Sequence, residues 1–200
     1  MAGGNWTAQN KVRPGVYINF KSGGTAAAAM GERGTAAIPR ALSWGPVGTV
    51  TAVSAGEDTA PGVGYALTAP QALFLREMFK GTNVTGGPST VLLYRLAAEG
   101  AAAASAVIGA AEGAEGVTVT ALYPGVRGND IAVTIAAGVD EPERFTVSTL
   151  VDAQVVDTQQ AAEADELKPN AWVTFSGQGP LAASAGASLT GGADGTVQPS

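Results

Sequence analysis

Val117-Thr118-Val119-Thr120-Ala121-Leu122-Tyr123-Pro124-Gly125-Val126-Arg127-Gly128-Asn129-Asp130-Ile131-Ala132-Val133-Thr134-Ile135 is the stretch on which the fold turns. Two runs that alternate apolar and polar residues at period two flank a segment rich in Pro, Gly, Asn and Asp, which describes strand, turn, strand. Residues 145–151 and 171–175 alternate in the same way, and Gly138 to Arg144 supplies another turn. Short alternating strands at this spacing predict a small antiparallel sandwich or barrel. Residues 160–168 read as one short helical turn, and residues 189–200 as linker.

Upstream the texture changes. Residues 97–108 form a low-complexity alanine run whose propensity points to helix, although Gly100 and Gly109 interrupt it. Before it, residues 68–81 carry the clearest helix pattern. Thr68 and Gln71 have capping-box spacing, Pro70 lies in the first turn, Lys80 sits at the negative end, and Gly81 provides a stop. Ala72, Leu75, Met78 and Phe79 then share one side. Residues 89–96 follow as a buried strand, and residues 34–42 and 48–53 are short strand candidates joined by the turn Ser43-Trp44-Gly45-Pro46. Pro39 keeps the first of these from a fully paired position. Residues 56–64 read as a loop, so residues 34–96 predict the order β-β-α-β.

Charge divides the chain at the same place. Residues 1–96 hold eight Lys/Arg against four Asp/Glu, net +4, whereas residues 97–200 hold three against thirteen, net −10, for a total of −6. A boundary near Leu96 is therefore expected. The basic residues of the first half are scattered singly, which speaks against nucleic acid as a partner. No apolar run is long enough to span a membrane, and the first residues lack the pattern of a secretory signal. The chain is expected to be made and kept in the cytosol until something else releases it.

The first dozen residues are polar and glycine-rich. Arg13-Pro14-Gly15-Val16-Tyr17-Ile18-Asn19-Phe20-Lys21 then reads as a strand with Val16, Ile18 and Phe20 on one face. Such a strand near a terminus is either the edge of its own sheet or a segment that adds to a neighbour's, because its amides and carbonyls need partners.

Composition narrows the chemistry. The 200 residues include no His and no Cys, which removes His-assisted nucleophiles, thiolate or imidazole metal sites and disulfides. Asp140, Glu141 and Glu143 lack the ligand spacing of a calcium loop, and Glu57-Asp58 and Asp165-Glu166 are adjacent pairs whose side chains diverge. The glycine-rich segments lack the Gly-Lys-Ser/Thr ending of a phosphate loop. No catalytic, cofactor-binding or metal-ligating residue is assigned, no cofactor is expected, and the protein is read as a non-enzyme whose work is contact with others.

The order of several motifs carries a resemblance. Residues 10–20, then Gly31-Glu32-Arg33-Gly34, Ser43-Trp44-Gly45-Pro46 and Leu93-Tyr94-Arg95-Leu96, together resemble the tail sheath proteins of contractile-tailed bacteriophages and of related prophage and bacteriocin particles. Residues 123–131, Trp172-Val173-Thr174-Phe175-Ser176-Gly177 and Leu189-Thr190-Gly191-Gly192-Ala193-Asp194-Gly195-Thr196 are similar to the β-rich domain inserted in such sheaths and to the junction after it.

The resemblance implies an α+β fold: an extended N-terminal arm (1–21) and a partial α/β domain (22–96), followed by a small antiparallel β-sandwich or barrel (97–190) and a junction (191–200). It further implies a structural subunit that polymerises around a tail tube and contracts to drive the tube through the host envelope. Its partners would be copies of itself in helically stacked hexameric rings, the tube protein, and baseplate and terminator proteins, with no nucleic acid and no membrane insertion. The location would be the virion tail, after assembly in the host cytoplasm. Val12, Pro14, Gly15, Val16, Tyr17, Ile18 and Phe20 would be the arm residues that add a strand to a neighbouring subunit. Family members continue past the glycine junction into a C-terminal α/β portion, so residues 20–96 are expected to lack sheet partners supplied from downstream. The alternative reading is an exposed adhesive or carbohydrate-binding β domain with Trp172 and Tyr123 in its groove; a carboxylate hydrolase is a third.

Overall fold

The computed structural model describes residues 34–81, 86–111, 115–138 and 144–198. Within Gly34–Ser200, which is one compact unit, the first layer is a three-stranded sheet ordered β1-β3-β2, with β1 at Thr35–Arg40, β2 at Val50–Ser54 and β3 at Thr90–Arg95. β3 is the central strand, parallel to β1 and antiparallel to β2. Pro39 is accommodated because β1 lies at the edge, where a missing amide costs no ladder bond on the open side.

The helix expected over residues 68–81 forms as a 3-10 turn, Pro70–Ala72, that runs into α2, Leu73–Lys80; α1, Ala60–Val63, precedes it in what the sequence reads as loop. The capping box does not form: no side chain caps either segment. Pro70 starts the turn without needing a donor, and the N–H of Ala72 closes it on the carbonyl of Ala69. Leu75 on α2 is buried against Val53, Val91 and Leu93, with Met78 and Phe79 half-buried beside them. That cluster covers one face of the sheet. The register places Val50 and Pro39 beside Tyr94, and Ala52 and Ala37 beside Leu92, and these side chains form the opposite face, exposed or half-buried.

The second layer is a β-sandwich. One sheet is ordered β4-β5-β9 (Ser105–Ile108, Val117–Ala121, Val173–Ser176), and the other β10-β6-β7-β8 (Ser184–Ser188, Ile131–Ala137, Phe145–Val151, Gln154–Ala161). All of its strand pairs are antiparallel. Val117, Val119 and Ala121 point inward from one sheet, and Ile131, Val133, Ile135 and Val147 from the other, as the period-two alternation requires. The molecule is thus α+β, an α/β layer followed by an antiparallel sandwich.

Two further readings need correction. Residues 97–108 are not helical: they run extended, with Glu99, Ala102 and Ser105 bridged to Thr196, Ala193 and Thr190, before entering β4. The few tenths of a kcal/mol per residue by which alanine favours helix are outweighed by two-sided backbone pairing. For the same reason residues 189–196 are not linker; Leu189 is fully buried. Strands β8 and β10 escape the alternation test because Gln154–Ala161 and Ser184–Ser188 are polar or small on both faces.

Candidate functional site: the junction between the layers

Two arginines and a tryptophan stitch the α/β layer to the sandwich. Trp44, from the loop after β1, is fully buried in the sandwich core rather than beneath its own sheet. Its ring meets Tyr123 edge-on at 5.4 Å and lies tilted on Trp172 at 5.2 Å, and its Nε1 donates to the Pro61 carbonyl (3.0 Å). Trp172 is 4% exposed. The pair Trp172 and Tyr123 therefore packs around Trp44, which does not favour the adhesin reading with these two rings as an exposed groove.

Arg95, the last residue of β3, is buried and donates to the carbonyls of Gly45 and Pro124, both at 2.7 Å, so it ties its own layer to the turn after β5. Its Nε is the buried side-chain atom without a partner among the described residues. Burial pushes its pKa down, with the charge of Asp194 opposing. Arg127 reaches the other way. From the 3-10 turn Val126–Asp130 its Nε donates to the Gly64 carbonyl (2.7 Å). Its Nη1 and Nη2 grip both oxygens of Asp152 at 2.7 and 2.6 Å, Nη1 also reaches Asp130 at 2.9 Å, and the guanidinium lies 4.3 Å from the Tyr65 ring centroid. Burial works against this cation, yet the hydrogen bonds it donates to Asp152 and Asp130 hold its pKa above the ordinary arginine value.

Asp194 completes the seam. One carboxylate oxygen accepts from the Ser43 hydroxyl (2.9 Å) and the other from the Val126 amide (2.8 Å), while Asn129 and Gly192 exchange two hydrogen bonds. Contact is close enough to require glycine. A Cβ on Gly125, whose φ is 136°, would lie 2.0 Å from the Ser43 carbonyl oxygen, and one on Gly64, φ 88°, would lie 2.6 Å from Trp44 Cβ.

The motifs Ser43 to Pro46, Leu93 to Leu96, Tyr123 to Ile131 and Leu189 to Thr196 thus converge on one place, although sequence reading treats them as separate turns and strand ends. A signal for the seam was present: Arg127 is one of three cations among residues 97–200, and it lies between two glycines' reach in a turn. The arm residues Val12, Pro14, Gly15, Val16, Tyr17, Ile18 and Phe20 lie outside the described residues, as do Asp140, Glu141 and Glu143. Of the adjacent carboxylate pairs, Glu57, Asp58 and Glu166 accept nearby backbone amides from Ser54, Ala60 and Ala162. They cap turns.

An α/β sheet joined through buried arginines to a β-sandwich defines a two-layer module held together by a polar and aromatic seam. Two family models match it: residues 33–96 match the N-terminal region of domain III of the tail sheath protein Gp18, and residues 98–194 match the phage tail sheath protein β-sandwich domain. The chain belongs to the phage tail sheath protein family. Similar curated proteins are the phage-like element PBSX protein XkdK of Bacillus subtilis, 38% identical over 97% of this chain and 43% of that protein, and YqbK of the same organism, 42% identical over 90% of this chain and 36% of that protein. Similar solved structures are sheath tail proteins of Desulfitobacterium hafniense (TM-score 0.69, 39% identity, 92% of this chain, 40% of that one) and of Listeria innocua (TM-score 0.71, 33% identity, 84% and 36%). The chain spans about two fifths of the length of these relatives.

Proposed function

We propose that the chain is part of a structural subunit of a contractile phage tail sheath, which polymerises around the tail tube and contracts to drive it through the host envelope without chemistry of its own. The observation that carries this reading is the match of both layers, in order, to tail sheath domains. In this reading residues 1–21 are the arm, residues 22–96 a partial sheath domain, residues 97–190 an inserted β domain and residues 191–200 the junction beyond it. The antiparallel bridges Glu99–Thr196, Ala102–Ala193 and Ser105–Thr190 support the insertion, because they bring the chain's entry to and exit from the sandwich side by side. Among the described residues the apolar face around Leu92 and Tyr94 is uncovered and β1 and β2 are sheet edges, and these are surfaces that further sheath polypeptide would complete.

Partners in this reading are further copies in helically stacked rings, the tube protein, and baseplate and terminator proteins; assembly takes place in the host cytoplasm and the product resides in the virion tail. The acidic sandwich faces outward, where like charge keeps neighbouring particles apart. Mixing the complete gene product with purified tail tube and imaging by electron microscopy tests the function: ordered tubular polymer is expected, and persistent monomer under conditions where the tube is intact would sink it. Deleting residues 1–21 from that product tests the arm separately. Loss of linkage between subunits is expected, and normal polymer refutes the strand-adding role of Val12 to Phe20.

A further inference from the structure

Asp152 and Ala153 make the two-residue turn between β7 and β8, closed by the pair Val151 and Gln154. Both hold left-handed backbone, φ 51° and 63°, and they are the non-glycine residues with positive φ among the described residues. A turn of this kind ordinarily takes Asn-Gly or Asp-Gly, and Ala153 has no side-chain hydrogen bond to offset the steric cost of its Cβ. The turn also has a partner beyond the hairpin.

That partner is in the seam. The Asp152 carboxylate is clasped by both terminal nitrogens of Arg127, whose side chain is 5% exposed while that of Asp152 is 62% exposed. The same guanidinium reaches across to the Gly64 carbonyl and lies over Tyr65. A single cation therefore connects the hairpin turn, the 3-10 turn Val126–Asp130 and the loop after α1 in the other layer.

We infer that Asp152 and Arg127 form a latch that fixes the orientation of the sandwich on the α/β layer, and that the left-handed Asp152–Ala153 turn is retained because it aims the carboxylate at Arg127. With Asp152 in place the guanidinium is held at both ends and has one geometry toward Gly64. Without it, the buried cation keeps only Asp130 among its carboxylates and the loop of residues 60–65 loses its fixed partner. The latch concerns this chain by itself, so its failure and that of the sheath reading are separable.

The test exploits what glycine and asparagine do to such a turn. Both relax left-handed backbone, so in an ordinary hairpin Asp152→Gly and Asp152→Asn would leave stability unchanged or raise it. As the latch requires, both variants are expected to speed amide exchange at residues 62–66, in the other layer, by about tenfold or more while Val133 and Val147 exchange as before. Ala153→Gly, which eases the turn and keeps the carboxylate, is expected to leave residues 62–66 as protected as in the parent. Unchanged exchange at residues 62–66 in Asp152→Gly overturns the latch, and so does a uniform rise that includes Val133 and Val147.

Discussion

Arg95 and Arg127 are buried cations that both bridge the two layers, and they are neutralised by different means. Arg95 is held by two carbonyl dipoles with Asp194 nearby, whereas Arg127 has two carboxylates in direct contact. The second arrangement carries a pH dependence. Hydrogen bonds from Arg127 hold the Asp152 carboxyl below the usual carboxylate range, so its stabilising contribution is complete above the unfolded-state value near roughly pH 4 and is lost as pH falls through the lower folded value. Because Asp152 is largely exposed, that contribution is at most about 1 kcal/mol. The extra amide exchange at residues 62–66 in Asp152→Gly over the parent is expected to be present at pH 7 and to shrink below roughly pH 4, as protection factors at a series of pH values would read. Gly125 makes a sharper case. Gly125→Ala places a Cβ against the Ser43 carbonyl in a backbone region that L residues avoid, and should cost about 3 kcal/mol in urea unfolding. Gly100→Ala has open space around it at φ 78°, and should cost about 1 kcal/mol; equal losses at the two sites would show that backbone strain alone sets the effect.

At the level of elements, alternation found β5, β6, β7 and β9 because each has one dry face, and end signals placed α2 because Pro70 and Gly81 bracket an amphipathic run. β8 and β10 were illegible for the converse reason. Val155 and Val156 are 59% and 42% exposed at consecutive positions, across a register shift in the pairing with β7, so no period of two survives there. Residues 98–104 show what propensity misses. Ala102 donates to the Ala193 carbonyl and accepts from both Ala193 and Gly125, and no local feature of an alanine run announces a partner some ninety positions away. Ala102→Pro deletes that donor and should cost about 3 kcal/mol in denaturant unfolding, as a proline costs wherever a paired amide is removed; a neutral result would mean that residues 98–104 are not paired in solution.

Among the described residues, the sheet β1-β3-β2 is covered on one face by α2 and left open on the other, where Val50 is 61% and Tyr94 38% exposed. Two acidic substitutions there, Val50→Asp with Tyr94→Asp, should leave the melting temperature of this chain within about what surface changes usually cost, roughly 0.5 kcal/mol each. Under the proposed function the same pair abolishes ordered polymer in the complete gene product, and polymer of normal length by electron microscopy would show the face to be idle. Local pattern in the sequence determined what is local in its physics: strand alternation, helix stops, the charge division near Leu96 and the absence of imidazole and thiol chemistry. Tertiary structure alone decided that Trp44 leaves its own layer for the sandwich core, that residues 189–196 return to pair with residues 99–105, and that Arg95, Arg127 and Asp194 meet in one seam. Each of these depends on contacts between residues from about fifty to a hundred and fifty positions apart, whose energy comes from burial and charge pairing at a distance along the chain that no local periodicity encodes.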